Sequence, residues 1–146
     1  MWRFFKRLWS CTVTLVCVVV VGALVWASNL CKLKDLDGKR AFYLYSASSQ
    51  AKRVETLRFE ELFSVKGESV RFAVTQTEKA GLLEEILNKY DAELVFTEYV
   101  DGVTSYYAVT PRFSGGVVVD GQTVNLHVAI GERECVVGTP MIFGGF

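Results

Sequence analysis

The sequence is poor in the groups that most enzymes and metalloproteins rely on. Its 146 residues include a single histidine, His127, and four cysteines. No Cys-x-x-Cys pair occurs, and no cysteine and histidine stand at ligand spacing, so a structural zinc is disfavoured. No phosphate loop or dinucleotide fingerprint is present. Gly115-Gly116 and Gly144-Gly145 lack the following helix that would turn them into anion cradles. The acids are scattered, and the adjacent Glu60 and Glu61 would point to opposite faces of a strand, so no pair converges as a glycosidase requires. No metal, cofactor or catalytic residue set is therefore expected. There is no Asn-x-Ser/Thr sequon, which fits a bacterial envelope better than a glycosylated ectodomain.

Charge is missing altogether from residues 8–31, a run of 24 residues with Val18-Val19-Val20-Val21 near its centre. About 20 apolar residues span a bilayer core, so this run is read as a transmembrane helix. Its polar members Ser10, Thr12, Thr14 and Ser28 are small, and hydroxyls can bond back to the preceding turn. Trp2, Trp9 and Trp26 lie near the two ends, where indole rings favour the headgroup region. A cleaved signal peptide is the rival, since Val25-Trp26-Ala27 has a spacing that a signal peptidase can read. Trp26 and the lack of a helix breaker before that site favour an uncleaved anchor. Arg3, Lys6 and Arg7 precede the run, while Lys32, Lys34, Lys39 and Arg40 follow it. The seven-residue tail offers no folding unit, so it is assigned to the cytoplasm and the rest of the chain to the far side.

Beyond the run, about 115 residues suffice for one domain with its own core. This part holds all 16 acids and 13 of the 16 lysines and arginines, a net charge near −3. A mildly acidic domain with no basic stripe is a poor match for nucleic acid. Cys11 and Cys17 read as lipid-facing filler, and a Cys31–Cys135 bridge is open but unforced. The organisation expected is thus a tail (1–7), an anchor (8–31), a short charged stalk (32–40) and an extracytoplasmic domain (41–146).

That domain alternates in short periods. Residues 41–47 read as a strand and 46–52 as a loop. Leu57, Phe59, Phe63 and Val65 share one parity, and Val70, Phe72 and Val74 another, with Lys66-Gly67 between them as a hairpin turn. Phe59–Phe63 alone would also pass for one helical turn. Thr75-Gln76-Thr77-Glu78 is a capping box. Leu83, Ile86, Leu87 and Tyr90 then form one apolar stripe at helical spacing, and Gly81 suggests close helix–sheet contact. Asp101-Gly102 marks a type I′ hairpin that pairs Val100 with Val103, Glu98 with Ser105, Phe96 with Tyr107 and Leu94 with Val109. That face is expected to meet the helix. Asp120-Gly121 repeats the signal, Val124, Leu126, Val128 and Ile130 alternate after it, and residues 135–137 read as a last strand. The fold class expected is α+β, with antiparallel hairpins packed on one amphipathic helix.

The candidate binding residues are Tyr99, Tyr106, Thr97 and Thr104, which share one face of the first hairpin. Rings beside hydroxyls suit a glycan or a partner strand. His127 falls opposite the apolar row of its strand and reads as a surface residue. A catalytic reading pairs it with Ser105 or Cys135. Glu98, among apolar neighbours, is the other candidate acid. The apolar tail, residues 141–146, either docks on the domain or offers a strand to a partner. The function expected is a membrane-anchored binding or assembly module of a bacterial envelope without catalytic activity, with the lipid bilayer and an envelope protein or glycan as partners. The alternatives are a cell-wall-directed hydrolase using His127 or Glu98, and a soluble domain secreted after cleavage at Ala27.

Overall fold

The computed structural model describes residues 2–28, 31–46 and 51–144. The chain divides into two compact units, Met1–Cys31 and Lys32–Phe146.

The first unit contains one helix, α1 (Trp2–Ser28), of 27 residues, about 40 Å long. Val13, Leu15, Val16, Val18, Val19, Val20, Val21 and Leu24 are all exposed. The Thr12 hydroxyl donates to the Trp9 carbonyl at 3.1 Å, one turn back. Among the described residues no helix is long and apolar enough to cross a membrane. The longest unbroken run of described side chains in α1 is residues 12–24, about 20 Å of helix.

The second unit is α+β. In chain order it holds β1 (Lys39–Leu44), β2 (Lys52–Val54), a 3₁₀ turn (Phe59–Ser64), β3 (Val65–Ala73), α2 (Gln76–Tyr90), β4 (Glu93–Val100) and β5 (Val103–Val109). There follow β6 (Val117–Val119), β7 (Gln122–Val124), β8 (Leu126–Ile130) and β9 (Glu134–Thr139). Seven strands form one antiparallel sheet in the order β2-β1-β3-β9-β8-β5-β4, and β6 and β7 form a separate hairpin.

Helix α2 starts where its capping box predicts. The Thr75 hydroxyl accepts the Glu78 N–H at 3.4 Å, and the Glu78 carboxylate accepts the Thr75 N–H at 2.8 Å. Ile86 and Tyr90 are buried, and Leu83 and Leu87 pack beside them against the sheet. Gly81 has another role than the one expected. Its φ is +93° and it kinks the helix, while a Cβ there would meet nothing within 4 Å. It is needed for its backbone conformation, not for close packing.

The 100–103 hairpin forms with Asp101 at φ +50°. Three of the four expected pairs are present, but a bulge between Leu94 and Phe96 shifts the fourth, so Val109 faces Glu93 and Leu94 faces Ala108. The sequence reading sends the Phe96–Tyr107 face against the helix, and the structure does the opposite. Strand β5 also pairs with β8, with Tyr106 opposite Val128 and Ala108 opposite Leu126. The row Leu126, Val128, Ile130 is the continuous apolar one, so it takes α2, and Tyr106 and Ala108 go with it.

Other expectations are corrected nearer the start of the domain. Lys66-Gly67 is not a turn but part of β3, which pairs with β1 and β9 along its length. The preceding residues wind into the 3₁₀ turn instead. There the Glu61 carboxylate accepts the Arg58 N–H at 3.1 Å and its guanidinium at 3.0 Å. Phe59 and Phe63 are exposed in consequence. Part of the loop expected over 46–52 lies outside the described residues, and Lys52 already belongs to β2. Residues 32–40 do not form a stalk. Leu33 is fully buried and Leu36 packs on the same core. The Leu33 N–H donates to the buried Glu68 carboxylate, and the Leu33 carbonyl accepts from Arg40 at 3.1 Å. Cys31 and Cys135 are free thiols, and Cys135 lies in the core, where burial pushes it up to about 12.

The strand expected over 124–130 is interrupted by Asn125, which is buried and fully engaged. Its carbonyl oxygen accepts the Thr110 N–H at 2.8 Å, and its amide donates to Thr110 O at 2.8 Å and Phe113 O at 3.0 Å. Removing it strands three main-chain groups away from water. Asn125→Ala should lower domain stability by about 2 kcal/mol, read as a lower urea midpoint with an unchanged slope.

Candidate functional site

The second face of the sheet carries the features most suited to recognition. Strands β4, β5 and β8 bring Phe96, Tyr107 and His127 into register. The three rings stack in series, Phe96 on Tyr107 at 4.4 Å and Tyr107 on His127 at 4.3 Å between centroids, with interplanar angles of 18° and 19°. His127 is therefore not a surface residue but a buried one, 6 % exposed.

The segment after β9 closes over this face. A Cβ at Gly138 would lie 2.8 Å from the Ile142 side chain and 3.0 Å from its nitrogen. Glycine at 138 is what lets the chain double back so tightly. Ile142 is buried against Ala129 and Val136, and Val103 packs beside them. Phe143 meets Tyr43 edge-on at 5.7 Å and lies under the Lys66 ammonium at 4.2 Å. The tail docks on its own domain as far as residue 144; residues 145–146 lie outside the described residues.

Between this segment and the tip of the 100–103 hairpin is a cleft of about 420 Å³, a size that suits a small ligand. Val100, Val103, Ala129 and Ile142 supply apolar walls, and Ser105 and His127 are polar members of its lining. The Ile142 N–H donates to His127 Nδ1 at 3.3 Å. Burial lowers the ring from its ordinary 6.5 to about 4, so it is neutral near pH 7. With Nδ1 accepting, its proton is on Nε2, which has no hydrogen-bond partner among the described residues. A base needs a free lone pair aimed at the proton it takes, and here that lone pair is spent on a main-chain amide. With Nδ1 spent on a main-chain amide and Nε2 itself buried, the ring contributes an aromatic wall and not a poised base.

Glu98 is exposed and accepts the Tyr107 hydroxyl at 3.3 Å. Burial and the neighbouring Glu98 charge push the Tyr107 phenol up. Cys135 is on the α2 side of the sheet, in the main core, so it does not join His127. Among the described residues no three or more His, Cys, Asp or Glu gather to hold a metal ion.

The four residues singled out in the sequence form a compact patch on the α2 face. Thr97 stands opposite Tyr106, and Tyr99 opposite Thr104. Tyr99 is 70 % exposed, and Thr97 is exposed too. Tyr106 and Thr104 are half-buried, and Tyr106 leans on the core. Sequence reasoning missed the His127 stack. Pairing of Phe96 with Tyr107 was legible, but nothing local tells that β8 lies beside β5.

The chain matches no family model, no curated protein and no solved structure.

The buried ring predicts an acid limb. The unfolded chain protonates His127 near pH 6.5 and the folded one only near 4. Its contribution is thus complete above about pH 6.5 and declines as pH falls toward 4, by about 3 kcal/mol in all. Wild type should lose that much more stability than His127→Gln between pH 7 and 4 in urea titrations. Parallel curves would contradict the burial argument.

Proposed function

We propose that this chain is a single-pass, membrane-anchored binding or assembly module of a bacterial cell envelope, without catalytic activity. Helix α1 is its uncleaved anchor, and the α+β domain lies outside the cytoplasm. The observation that carries this reading is α1 itself. Residues 8–31 contain no charge, the helix covers most of them, and eight described valines and leucines face outward. Leaving one such side chain in water forgoes about 1.5–3 kcal/mol, a cost that a bilayer removes. Thr12 is satisfied within the helix, as a polar residue in lipid must be. Arg3, Lys6 and Arg7 ahead of the run are balanced by Lys32, Lys34, Lys39 and Arg40 after it, so flanking charge is close to a tie and the protease experiment below decides orientation. The spent lone pair of His127 supports binding over catalysis.

One observation favours the second reading, an envelope hydrolase acting on cell-wall material. Ser105 and His127 line the same cleft, and Glu98 accepts the hydroxyl of Tyr107, the ring stacked on His127. Alanine at His127 or Glu98 would abolish wall turnover under that reading and leave it unchanged under the first. A secreted domain released after Ala27 is separated by the intact mass of the mature chain.

The anchor is tested by fractionation. Wild type should pellet with membranes and resist alkaline carbonate. Val19→Arg combined with Val20→Arg, at about 2.5–3.5 kcal/mol each in mid-membrane, should shift it to the wash. Protease added to spheroplasts should digest the domain. An unprocessed wild-type chain that stays soluble without detergent would overturn the proposal.

A further inference from the structure

The two edges of the seven-stranded sheet are unlike. At one end is β2, three residues long and carrying Lys52 and Arg53. Short length and charge of this kind guard an edge against further pairing. At the other end is β4, eight residues long, with no lysine, arginine or proline. Among the described residues no strand pairs with its outer side. Glu93, Leu94, Thr97, Glu98, Tyr99 and Val100 are exposed, so both its faces are open near the turn. The bulge at its start leaves Phe96–Val100 in regular register. In an antiparallel ladder closed by a two-residue turn, alternate residues direct their main-chain groups outward. Counting from Val100, these are Tyr99 and Thr97, two of the four residues of the exposed patch.

The charge of this edge is one-signed. Between Lys89 and Arg112 the chain carries Asp91, Glu93, Glu98 and Asp101 and no cation. Among the described residues none of the four forms an ion pair. Pairing β4 with β4 of a second copy would bring together four strand acids, Glu93 and Glu98 of each, with Asp91 and Asp101 flanking them and no base, which is repulsive. A strand bearing lysine or arginine would meet the acids with opposite charge and the exposed Leu94, Tyr99 and Val100 with its apolar residues.

We propose that the outer edge of β4 accepts an extended, lysine- or arginine-bearing segment of a partner protein as an eighth strand of the sheet. This rests on the binding-module reading and names the partner's chemistry. Main-chain bonds from Thr97 and Tyr99 supply the attachment, and the acids select the sign of the incoming strand.

The test uses the full chain in nanodiscs of zwitterionic lipid. Two fluorescent decapeptides are titrated by anisotropy, one alternating lysine with valine and one alternating glutamate with valine. The lysine peptide should saturate on wild type, and the glutamate peptide should not bind. Thr97→Pro keeps both tyrosine rings but removes one outward N–H, and should weaken the lysine peptide at least about tenfold. Amide exchange on wild type serves if that variant does not fold, and the peptide should slow exchange at Thr97 and Tyr99. Absence of binding overturns the inference, as does equal binding to Thr97→Pro or protection elsewhere. Concentration-dependent dimers abolished by Thr97→Pro would give the edge to a second copy and also overturn it. Protection confined to the cleft would do the same while sparing the binding-module reading; if neither edge nor cleft binds either peptide while wall turnover depends on His127, that reading fails as well.

Discussion

A sheet has two faces to keep from water, and among its described residues the second unit has one α-helix with which to cover them. That constraint governs the domain. Helix α2 takes the face built by Leu126, Val128, Val137 and Val70, the most continuous apolar surface. The opposite face is left to side chains and to the segment after β9. Ile142 and Phe143 cover β9, β8 and the β1–β3 side. Between Ile142 and the tip of the β4–β5 hairpin the cleft remains. The cleft is where the domain's own chain runs short of cover.

Three buried polar side chains tie irregular segments to this sheet. Asn125 binds the 110–113 turn, Glu68 binds the Leu33 N–H, and His127 binds the Ile142 N–H. Each satisfies a main-chain group that strand pairing leaves over, which is what buried polar groups must do. The arrangement has an electrostatic consequence. Glu68 is pushed up by burial, against the opposing pull of the Leu33 N–H, Arg40 and Lys32. His127 is pushed down by the same cause. Burial thus acts on both groups against the charged form, and both hold irregular segments to the sheet.

The asymmetry between the sheet's edges follows from chain order. The three-residue β2 pairs with β1 and is separated by four residues from the 3₁₀ turn, whose Glu61 pairs with Lys52 and Arg58. Strand β4 is one arm of a tight hairpin, so its length is set by β5, and β5 is long because it also pairs with β8. A long outer strand is thus a by-product of a well-paired inner one.

The signals legible in the sequence are those whose causes lie within a few residues. The Thr75–Glu78 box, the 86–90 stripe, the Asp101-Gly102 turn and the uncharged run as far as residue 28 each state their local structure. So do the two rows of β5 and β8, because their side chains alternate, whereas the bulge between Leu94 and Phe96 breaks the rows of β4. What alternation leaves open is which row is covered, since that depends on which strands become neighbours. Hence Tyr106 and Ala108, not Phe96 and Tyr107, meet the helix, and His127 is buried instead of exposed. The same blindness applies to Lys66-Gly67, a good turn in isolation that β1 and β9 hold straight from either side, and to Leu33, whose burial needs Glu68 from a distant strand. Residue order within a few positions sets the periods, the caps and the apolar helix at the start. The faces, the edges and the cleft arise from long-range pairing, because burial is a property of neighbours that come from far apart in the chain.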